Sequence, residues 1–309
     1  MKLIIQIPCY NEEKALPVTL SSIPKNIDGI DEIEILIIDD GSTDKTVEIA
    51  KNNGVQHIVS NSRNMGLART FANGLNACIE LNADIIVNLD ADNQYKASDI
   101  GKLIQPILNK EADIVVGARP IETIKSFSPL KKVLQKLGSY VMRKISGADV
   151  ADAPSGFRAF TKDAAKRINI FDNYTYTMET IIQAKNKGLE IKSVPIGVNE
   201  DLRPSRLVKN NFDYIKRSMF TMARFVIIYR PFRFFMKISL FLLLAAFILG
   251  GRFLYFYMNG GGHGHIQSLI LCAILFLSGV QSMFFAVIAD LLAINRKLLE
   301  DIQYKTRKN

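Results

Sequence analysis

Ile-Ile-Val-Asn-Leu-Asp-Ala-Asp-Asn-Gln, residues 85–94, joins a short apolar run to two carboxylates and an amide. The apolar part predicts a buried strand. If the extended geometry continues, Asp90 and Asp92 point the same way, because strand side chains alternate with a period of two. Paired carboxylates repel each other unless a cation lies between them, and Mg²⁺ or Mn²⁺ takes such oxygen ligands, often with substrate phosphates. The stretch therefore predicts a metal-binding strand end; the alternative is an acidic turn after a strand.

Strand-like and helix-like segments alternate around this stretch. Predicted strands cover residues 3–7, 33–38, 56–60, 85–89, 113–116 and 189–194. Predicted helices cover residues 13–23, 43–52, 66–81, 98–108, 130–145 and 176–187. This order predicts a parallel α/β sheet with helices on both faces, in which ligands bind beyond the carboxyl ends of the strands. The residues that follow predicted strand ends, and could share one crevice, are Pro8, Asp39, Asp40, Asp90, Asp92 and Arg119.

The composition divides the chain into a globular part and an apolar part. It has 309 residues, of which 48% are hydrophobic, with most of the excess after residue 230. The net charge is +9, and residues 203–237 contain nine Lys or Arg and a single acid, Asp213. Because this basic segment continues into apolar sequence, an anionic membrane surface is favoured over nucleic acid as its partner. The three cysteines have no paired spacing, so neither a disulfide framework nor a zinc site is predicted.

The C-terminal third predicts a membrane anchor. Residues 206–231 carry an apolar and a basic stripe at helical spacing. They predict an amphipathic helix lying on a membrane; a surface helix packed on the domain is the alternative. Residues 232–295 predict a transmembrane hairpin, because 234–258 and 266–289 can each cross a bilayer core of about 30 Å. Basic residues flank the hairpin and fill the tail 296–309, so the catalytic part and the C-terminus are predicted to be cytosolic.

Two polar clusters suggest a nucleoside site. Pro8, Tyr10 and Glu12 follow the first strand, where Tyr10 could stack on a base and Glu12 could bind a hydroxyl; a structural turn is the alternative. Asp40 follows the second strand, at a position where an acid commonly holds a ribose hydroxyl. The alternative for Asp40 is an acid that complements the N-terminus of a helix.

Together these motifs resemble the family 2 glycosyltransferases. The matching pieces are Pro8-x-Tyr10-Asn11-Glu12, Asp39-Asp40-Gly41-Ser42-x-Asp44, Asn64-x-Gly66, Asp90-Ala91-Asp92-x-Gln94, Gly117-x-Arg119 and Ser155-Gly156-Phe157-Arg158. The Asp-Ala-Asp-x-Gln and Ser-Gly-Phe-Arg motifs and the hairpin are similar to the polyprenyl-phosphate hexose synthases, such as dolichyl-phosphate mannose synthases and undecaprenyl-phosphate glucosyltransferases. The resemblance implies a GT-A nucleotide-sugar-binding domain over residues 1–205.

The resemblance also implies roles for individual residues. The base and ribose of the donor would be held by Pro8, Tyr10, Glu12 and Asp40. The metal, Mg²⁺ or Mn²⁺, would be held by Asp90, Asp92 and Gln94, and Asp90 would also lie by the ribose. Phosphates of donor or acceptor would contact Arg119, Lys132, Arg158 and Arg203. The catalytic residues would be Asp92, Arg119 and Asp152, although Asp152 could equally cap the Ser155-Gly156 turn.

The expected activity is inverting transfer of a hexose from a UDP- or GDP-linked donor to a membrane polyprenyl phosphate. The metal and the arginines would neutralise the leaving diphosphate, and the anionic acceptor requires no strong base. The alternative acceptor is a hydroxyl of a lipid-linked or growing polysaccharide, which requires a base such as Asp152. A non-catalytic membrane partner is a rival of another class, against which the intact Asp90-Asp92-Gln94 set argues. The expected partners are a nucleotide sugar, a polyprenyl phosphate and a membrane, without nucleic acid, and a homo-oligomer is left open.

Overall fold

The computed structural model describes residues 1–122, 129–170, 176–199, 220, 224, 227–260 and 265–308. The chain forms two compact units, Met1–Ser218 with Tyr304–Asn309, and Met219–Gln303. The strands of the first unit are β1 (Lys2–Cys9), β2 (Glu32–Asp39), β3 (His57–Ser60), β4 (Ile85–Asn88), β5 (Ile114–Ala118), β6 (Arg158–Thr161) and β7 (Ile191–Pro195). Its helices are α1 (Leu16–Ser21), α2 (Thr46–Asn52), α3 (Leu67–Glu80), α4 (Ile100–Leu108, after a 3₁₀ turn at Ala97–Asp99), α5 (Pro129–Ser146), α6 (Lys162–Arg167) and α7 (Thr177–Asn186).

The strands form one seven-stranded mixed sheet in the order β3-β2-β1-β4-β6-β5-β7. β6 runs antiparallel to both neighbours, β4 and β5, whereas the other pairs are parallel. The prediction of a parallel sheet is therefore wrong at β6. This strand has four residues, Arg-Ala-Phe-Thr, and is too short and too polar at its start to show a strand period. Because β6 is reversed, its first residue, Arg158, pairs with Asn88 near the carboxyl end of β4.

Helices cover both faces of the sheet, as the alternating pattern predicted. On one face Leu3 and Ile7 of β1 belong to the same apolar cluster as Leu103 of α4. On the other face Ile4 belongs to a cluster with Phe71 of α3. All of these side chains are buried, and burial of one such side chain contributes roughly 1.5–3 kcal/mol. The two apolar layers hold the strand ends in fixed register.

Two helices begin later than predicted, because loop side chains bond the backbone first. The helix predicted at 43–52 begins at Thr46, whose N–H donates to the Asp44 carboxylate over 3.0 Å. The Ser42 hydroxyl, in the loop before this helix, accepts from the Asn11 N–H at 2.9 Å. Such local bonds compete with a helical turn. The helix predicted at 13–23 likewise begins only at Leu16.

The second unit contains α8 (Pro231–Met258) and most of α9 (Ile266–Lys308). Both helices are long and apolar enough to cross a membrane. They pack through small residues, where Ser239 donates its hydroxyl to the carbonyl of Gly279 over 2.8 Å. The predicted spans lie inside these helices, and α9 continues without a break through most of the predicted tail.

The predicted amphipathic helix at 206–231 lies largely outside the described residues, as does Arg203. Of that segment, Phe220, Arg224 and residues 227–229 are helical.

Candidate active site

A cavity of about 300 Å³ opens beyond the carboxyl ends of β1, β2 and β4. Strand order reverses between β1 and β4, which is where open α/β sheets bind ligands. Predicted residues that line the cavity are Pro8, Tyr10, Glu12, Asp40, Asp90 and Asp92. Leu67 and Thr70 of α3 also line it, although no sequence motif pointed to them. The structure thus brings together residues that lie up to 84 positions apart, from Pro8 to Asp92.

The loop after β1 presents Tyr10 at this cavity, with 42% of its surface exposed. Asn11 has a positive φ of 54°, and its amide oxygen accepts from the Thr43 N–H at 2.8 Å. The Glu12 N–H donates to the Thr46 hydroxyl over 2.8 Å. These bonds fix the loop to the segment after β2, so that the exposed aromatic ring has a rigid base.

Asp40 holds the loop that leads into α3. One of its carboxylate oxygens accepts from the Met65 N–H at 2.8 Å, and the other accepts from the Gly66 N–H at 3.0 Å. The Asn61 amide donates to the same carboxylate over 2.9 Å. Asp40 is buried, yet it lines the cavity, so it satisfies the start of α3 and also faces the cavity.

The carboxylate pair follows β4 and differs in how its two members are satisfied. Asp92 accepts the Gln94 N–H at 3.0 Å in a tight turn in which Asn93 has a φ of 59°. The Oδ1 atom of Asp90 is buried and has no hydrogen-bond partner among the described residues. Burial, and then the charge of Asp92, raise the pKa of Asp90 to about 7. The surroundings of Asp90 therefore do not fully offset the cost of ionising its carboxyl group.

A divalent cation fits this donor set only with help from the substrate. Asp90 offers the orphaned oxygen, and Asp92 lies beside it at the cavity wall. Among the described residues, no group of three or more His, Cys, Asp or Glu is placed to hold a metal. Hard cations of this kind are commonly bound by one or two carboxylates plus substrate phosphates. The arrangement thus fits a metal that arrives with a diphosphate.

The backbone of Gly156 lies close to the carboxylate of Asp90. A Cβ at Gly156 would lie 2.8 Å from the Asp90 Oδ2 atom and 2.8 Å from the Tyr176 hydroxyl. The Gly156 N–H donates to the Tyr95 hydroxyl over 2.9 Å, and its carbonyl accepts from the Asn88 amide at 2.8 Å. Asn88, Tyr95 and Tyr176 therefore position the loop against the carboxylate. Sequence reasoning missed all three, although an Asn at the end of an apolar strand was a visible signal.

Arg119 and Asp152 form a buried, two-pronged ion pair. The Arg119 Nε and Nη2 atoms lie 2.7 and 3.1 Å from the two Asp152 oxygens. The side chains are 6% and 1% exposed. Both oxygens of Asp152 are thus engaged by one guanidinium, which also lies 5.9 Å from the ring centre of Tyr95. Asp152 orients Arg119, and it is poorly placed to accept a proton from a substrate.

Arg158 occupies a different place from the substrate contact expected of it. It is fully buried and donates to the carbonyl oxygens of Ser155, Thr177 and Ala153 at 2.8, 2.7 and 2.6 Å. The Thr180 hydroxyl accepts a further bond. Burial lowers the pKa of Arg158 to about 10, so the side chain stays charged at neutral pH. We revise its role accordingly: it holds the 153–155 loop against α7 and has no exposed atom for a phosphate.

Two further predicted residues that the structure describes, Lys132 and Gln94, are not among the residues that line the cavity. Lys132, in the first turns of α5, donates to the carbonyl of Glu122 over 2.7 Å. Gln94 has a backbone carbonyl that accepts from the Asn199 N–H at 2.9 Å, which fixes the turn after the carboxylates. Arg203 falls outside the described residues.

The fold and the cavity define the class of the protein: a GT-A-like α/β enzyme with a mixed sheet and two C-terminal apolar helices. More particularly, the chain belongs to glycosyl transferase family 2, whose sequence profile matches residues 4–168. The resemblance noted in the sequence motifs is thereby confirmed.

The chain is similar in sequence to two transferases and in fold to a solved structure. It is 36% identical over 212 residues to the UDP-N-acetylglucosamine–dolichyl-phosphate N-acetylglucosaminyltransferase of Methanococcus voltae, covering 62% of this chain and 82% of that protein. It is 26% identical over 218 residues to the undecaprenyl-phosphate mannosyltransferase of Micrococcus luteus, covering 67% and 88%. Among solved structures, glucosyl-3-phosphoglycerate synthase of Mycobacterium tuberculosis, in complex with Mn²⁺, UDP and its product, matches with a TM-score of 0.56 at 20% identity, over 74% and 78% of the two chains. That likeness establishes the fold.

Proposed function

We propose that this protein transfers a hexose, with inversion, from a nucleotide sugar to a membrane polyprenyl phosphate. The observation that carries the proposal is the carboxylate pair at the switch-point cavity, in which a buried Asp90 oxygen has no partner in the part of the chain that the structure describes. Such an oxygen is costly to leave unsatisfied, and a cation bound with a donor diphosphate would satisfy it. The names of the two relatives, both polyprenyl-phosphate sugar transferases, support the same reaction class.

The described residues divide the work of donor binding. Tyr10 offers a face for the base, while Glu12 and Asp40 lie where sugar hydroxyls can be bound. Mg²⁺ or Mn²⁺, held by Asp90 and Asp92 with Gln94 nearby, would supply positive charge to the leaving diphosphate. Arg119, fixed by Asp152, adds a second, permanent positive charge whose field reaches Asp90.

The acceptor is inferred from the position of Asp152, which is the general base that the sequence offered for a hydroxyl acceptor. A phosphate monoester is already anionic at neutral pH and can attack the anomeric carbon without losing a proton. A hydroxyl acceptor requires a general base within hydrogen-bonding reach. Asp152 was the candidate, and both of its oxygens are bonded to Arg119. The geometry therefore favours a phosphate over a hydroxyl.

A membrane acceptor is consistent with the two long apolar helices of the second unit. α8 and α9 can both cross a bilayer. The basic residues before α8 and at the C-terminal end of α9 favour a cytosolic position for the N-terminus of α8 and the C-terminus of α9. We propose that the catalytic unit and the C-terminus face the cytosol, where nucleotide sugars are available.

The test is a transfer assay with the full chain in phospholipid nanodiscs, Mn²⁺ and a panel of radiolabelled UDP- and GDP-sugars. Three acceptors are compared: undecaprenyl phosphate, undecaprenol, and a lipid-linked sugar with a free hydroxyl. Radiolabel in a lipid product only with undecaprenyl phosphate is the expected result. Product with the lipid-linked sugar but not with the phosphate would overturn the proposal in favour of a polysaccharide acceptor.

A further inference from the structure

Helix α5 exposes an apolar stripe to the outside of the catalytic unit. Val133, Leu137 and Tyr140 are 61%, 54% and 50% exposed. Their spacings of four and three residues place them on one face of the helix. A helix that packs on a globular domain normally keeps its outer face polar, so a row of three large apolar side chains needs an explanation.

The opposite face of α5 is already used. Gln135, Ser139 and Met142 are buried against the catalytic unit. The Ser139 hydroxyl accepts from the Ala153 N–H at 3.1 Å, and the Arg143 guanidinium donates to the Val150 carbonyl over 3.4 Å. One face of α5 therefore packs on the catalytic unit. The apolar stripe lies on the other face and does not contribute to the core of that unit.

The charges on α5 indicate what covers this stripe. The helix has five Lys or Arg and no acid in its 18 residues. Lys136 borders the stripe, and Lys144 continues it, with its ammonium 5.9 Å from the centre of the Tyr140 ring. One acid outside the helix, Glu122, pairs with Lys136 at the surface. An apolar stripe edged by cations is complementary to a bilayer surface with anionic headgroups.

We propose that α5 docks onto an anionic lipid surface through Val133, Leu137 and Tyr140. The partner is the bilayer itself, which α8 and α9 bring to the same chain. The proposal rests on the proposed function only in that the acceptor is a membrane lipid. It adds a second membrane contact, one that belongs to the catalytic unit.

The consequence for the site follows from the bonds on the inner face of α5. Ser139 and Arg143 tie the helix to the loop that contains Asp152, and that loop continues to Gly156 against Asp90. When α5 rests on the headgroups, this loop is held close to the same surface. A lipid phosphate can then reach the carboxylate site while its polyprenyl chain stays in the bilayer.

The chain contains no Trp, which makes a direct test available. Leu137→Trp places one fluorophore on the stripe, and Val59→Trp on β3, at the far edge of the sheet, is the matched control at an exposed apolar position. Each full-length variant is reconstituted in vesicles of phosphatidylglycerol and phosphatidylcholine, with or without bromine on the acyl chains. We expect brominated lipid to quench L137W several-fold more than V59W, because interfacial helices sink into the boundary between headgroups and acyl chains.

Three outcomes would overturn the proposal. Equal quenching of the two variants means that α5 does not touch the bilayer. A blue-shifted but unquenched L137W, with cross-links between copies of the chain, means that the stripe is a contact between protomers. Quenching that appears only after undecaprenyl phosphate is added means that the stripe holds the acceptor chain. Because the readout needs no turnover, it is scored whether or not the transfer assay succeeds.

A charge test accompanies the fluorescence. Lys136→Glu with Lys144→Glu should lower transfer to undecaprenyl phosphate in anionic vesicles, and the loss should shrink as salt is raised. Transfer to a short, water-soluble prenyl phosphate should stay unchanged, which also shows that the variant is folded. Lys51→Glu, an exposed position on α2, is the control. A loss that is equal with both acceptors, or equal for the control, contradicts docking by α5.

Discussion

The acidic and basic halves of the site differ in how completely the protein satisfies them. At the acidic half, a buried oxygen of Asp90 has no partner, and Asp92 lies beside it. At the basic half, Arg158 makes four hydrogen bonds inside the protein, and Arg119 is bound by both oxygens of Asp152. The comparison teaches that charge alone does not mark a ligand contact. On the proposed function, the unsatisfied oxygen of Asp90 is the one that takes a ligand, and Arg158 and Asp152 shape its surroundings.

The largest effect is expected from neutralising one carboxylate of the acidic half. Asp92→Asn should lower kcat/KM for transfer on the order of 100-fold or more, because one anionic ligand is lost from a site that must hold a dication. Calorimetry should show weaker binding of Mn²⁺ in the presence of UDP. Asp28→Asn, at an exposed position, is the control and should have no effect. Full activity of D92N in the presence of EDTA would remove the metal from the proposed reaction.

The next largest effect should come from the basic half, and it should appear as stability. Arg158→Met leaves several buried carbonyl oxygens without donors, so the free energy of unfolding should fall by about 3–5 kcal/mol. Urea denaturation of the catalytic unit within the full chain measures this loss. Arg158→Lys keeps the charge and should be intermediate in stability, with an unchanged KM for acceptor. A stable R158K protein with a raised acceptor KM would return Arg158 to a role at the substrate.

The role of the Arg119–Asp152 ion pair can be tested by the pH dependence of the transfer rate. Asp152→Asn removes the negative partner of a buried Arg119 and should cost about 3–5 kcal/mol of stability, together with a lower kcat. If Asp152 only orients Arg119, the shape of the pH–rate profile should be the same in D152N and in the native protein. Loss of the acidic limb of that profile in D152N would instead identify Asp152 as a general base.

Gly156 lies where the two halves meet, and its substitution should have a moderate effect. Gly156→Ala places a methyl group within 2.8 Å of the Asp90 carboxylate and the Tyr176 hydroxyl. Overpacking of this kind costs about 1–3 kcal/mol, and we expect it as weaker donor binding in the presence of Mn²⁺. Removing the hydroxyl with Tyr176→Phe in the same chain should restore part of the affinity. Native donor affinity in G156A would show that the loop is free to move away from Asp90.

The smallest expected effect is at the nucleoside end. Asp40→Asn keeps the side-chain volume but loses a charge at a carboxylate that three donors already engage. Donor KM should rise by roughly five-fold, or about 1 kcal/mol, since a neutral acceptor makes a weaker hydrogen bond to a ribose hydroxyl. If calorimetry shows unchanged donor affinity while stability falls, Asp40 serves only the loop before α3.

The sequence was sufficient to predict which strand ends meet at the cavity. Pro8, Asp40 and Asp90 each follow a predicted strand, and parallel strands place their carboxyl ends along one edge. It was insufficient for β6, because a four-residue strand that begins with Arg158 has neither the length nor the alternation of a strand pattern. The role of Arg158 was equally hidden, since a sequence does not state whether a guanidinium meets a phosphate or the carbonyls of its own loop. The structural role of Asn88 could have been predicted, because an amide at the end of an apolar strand requires a buried hydrogen-bond partner.

The orphaned oxygen of Asp90 also sets a limit on how robust the protein can be. A buried carboxylate oxygen without a donor destabilises the native state, and a neutral side chain at that position would relieve this cost while lowering the proposed activity. Thermal tolerance and turnover are therefore opposed at this residue, as is common where a site is preorganised for its ligand. On the proposed function, a plentiful donor and cation stabilise the fold by mass action, since whatever binds the native state alone raises its population. The supply of substrate would then help to determine how long each copy of the protein stays folded.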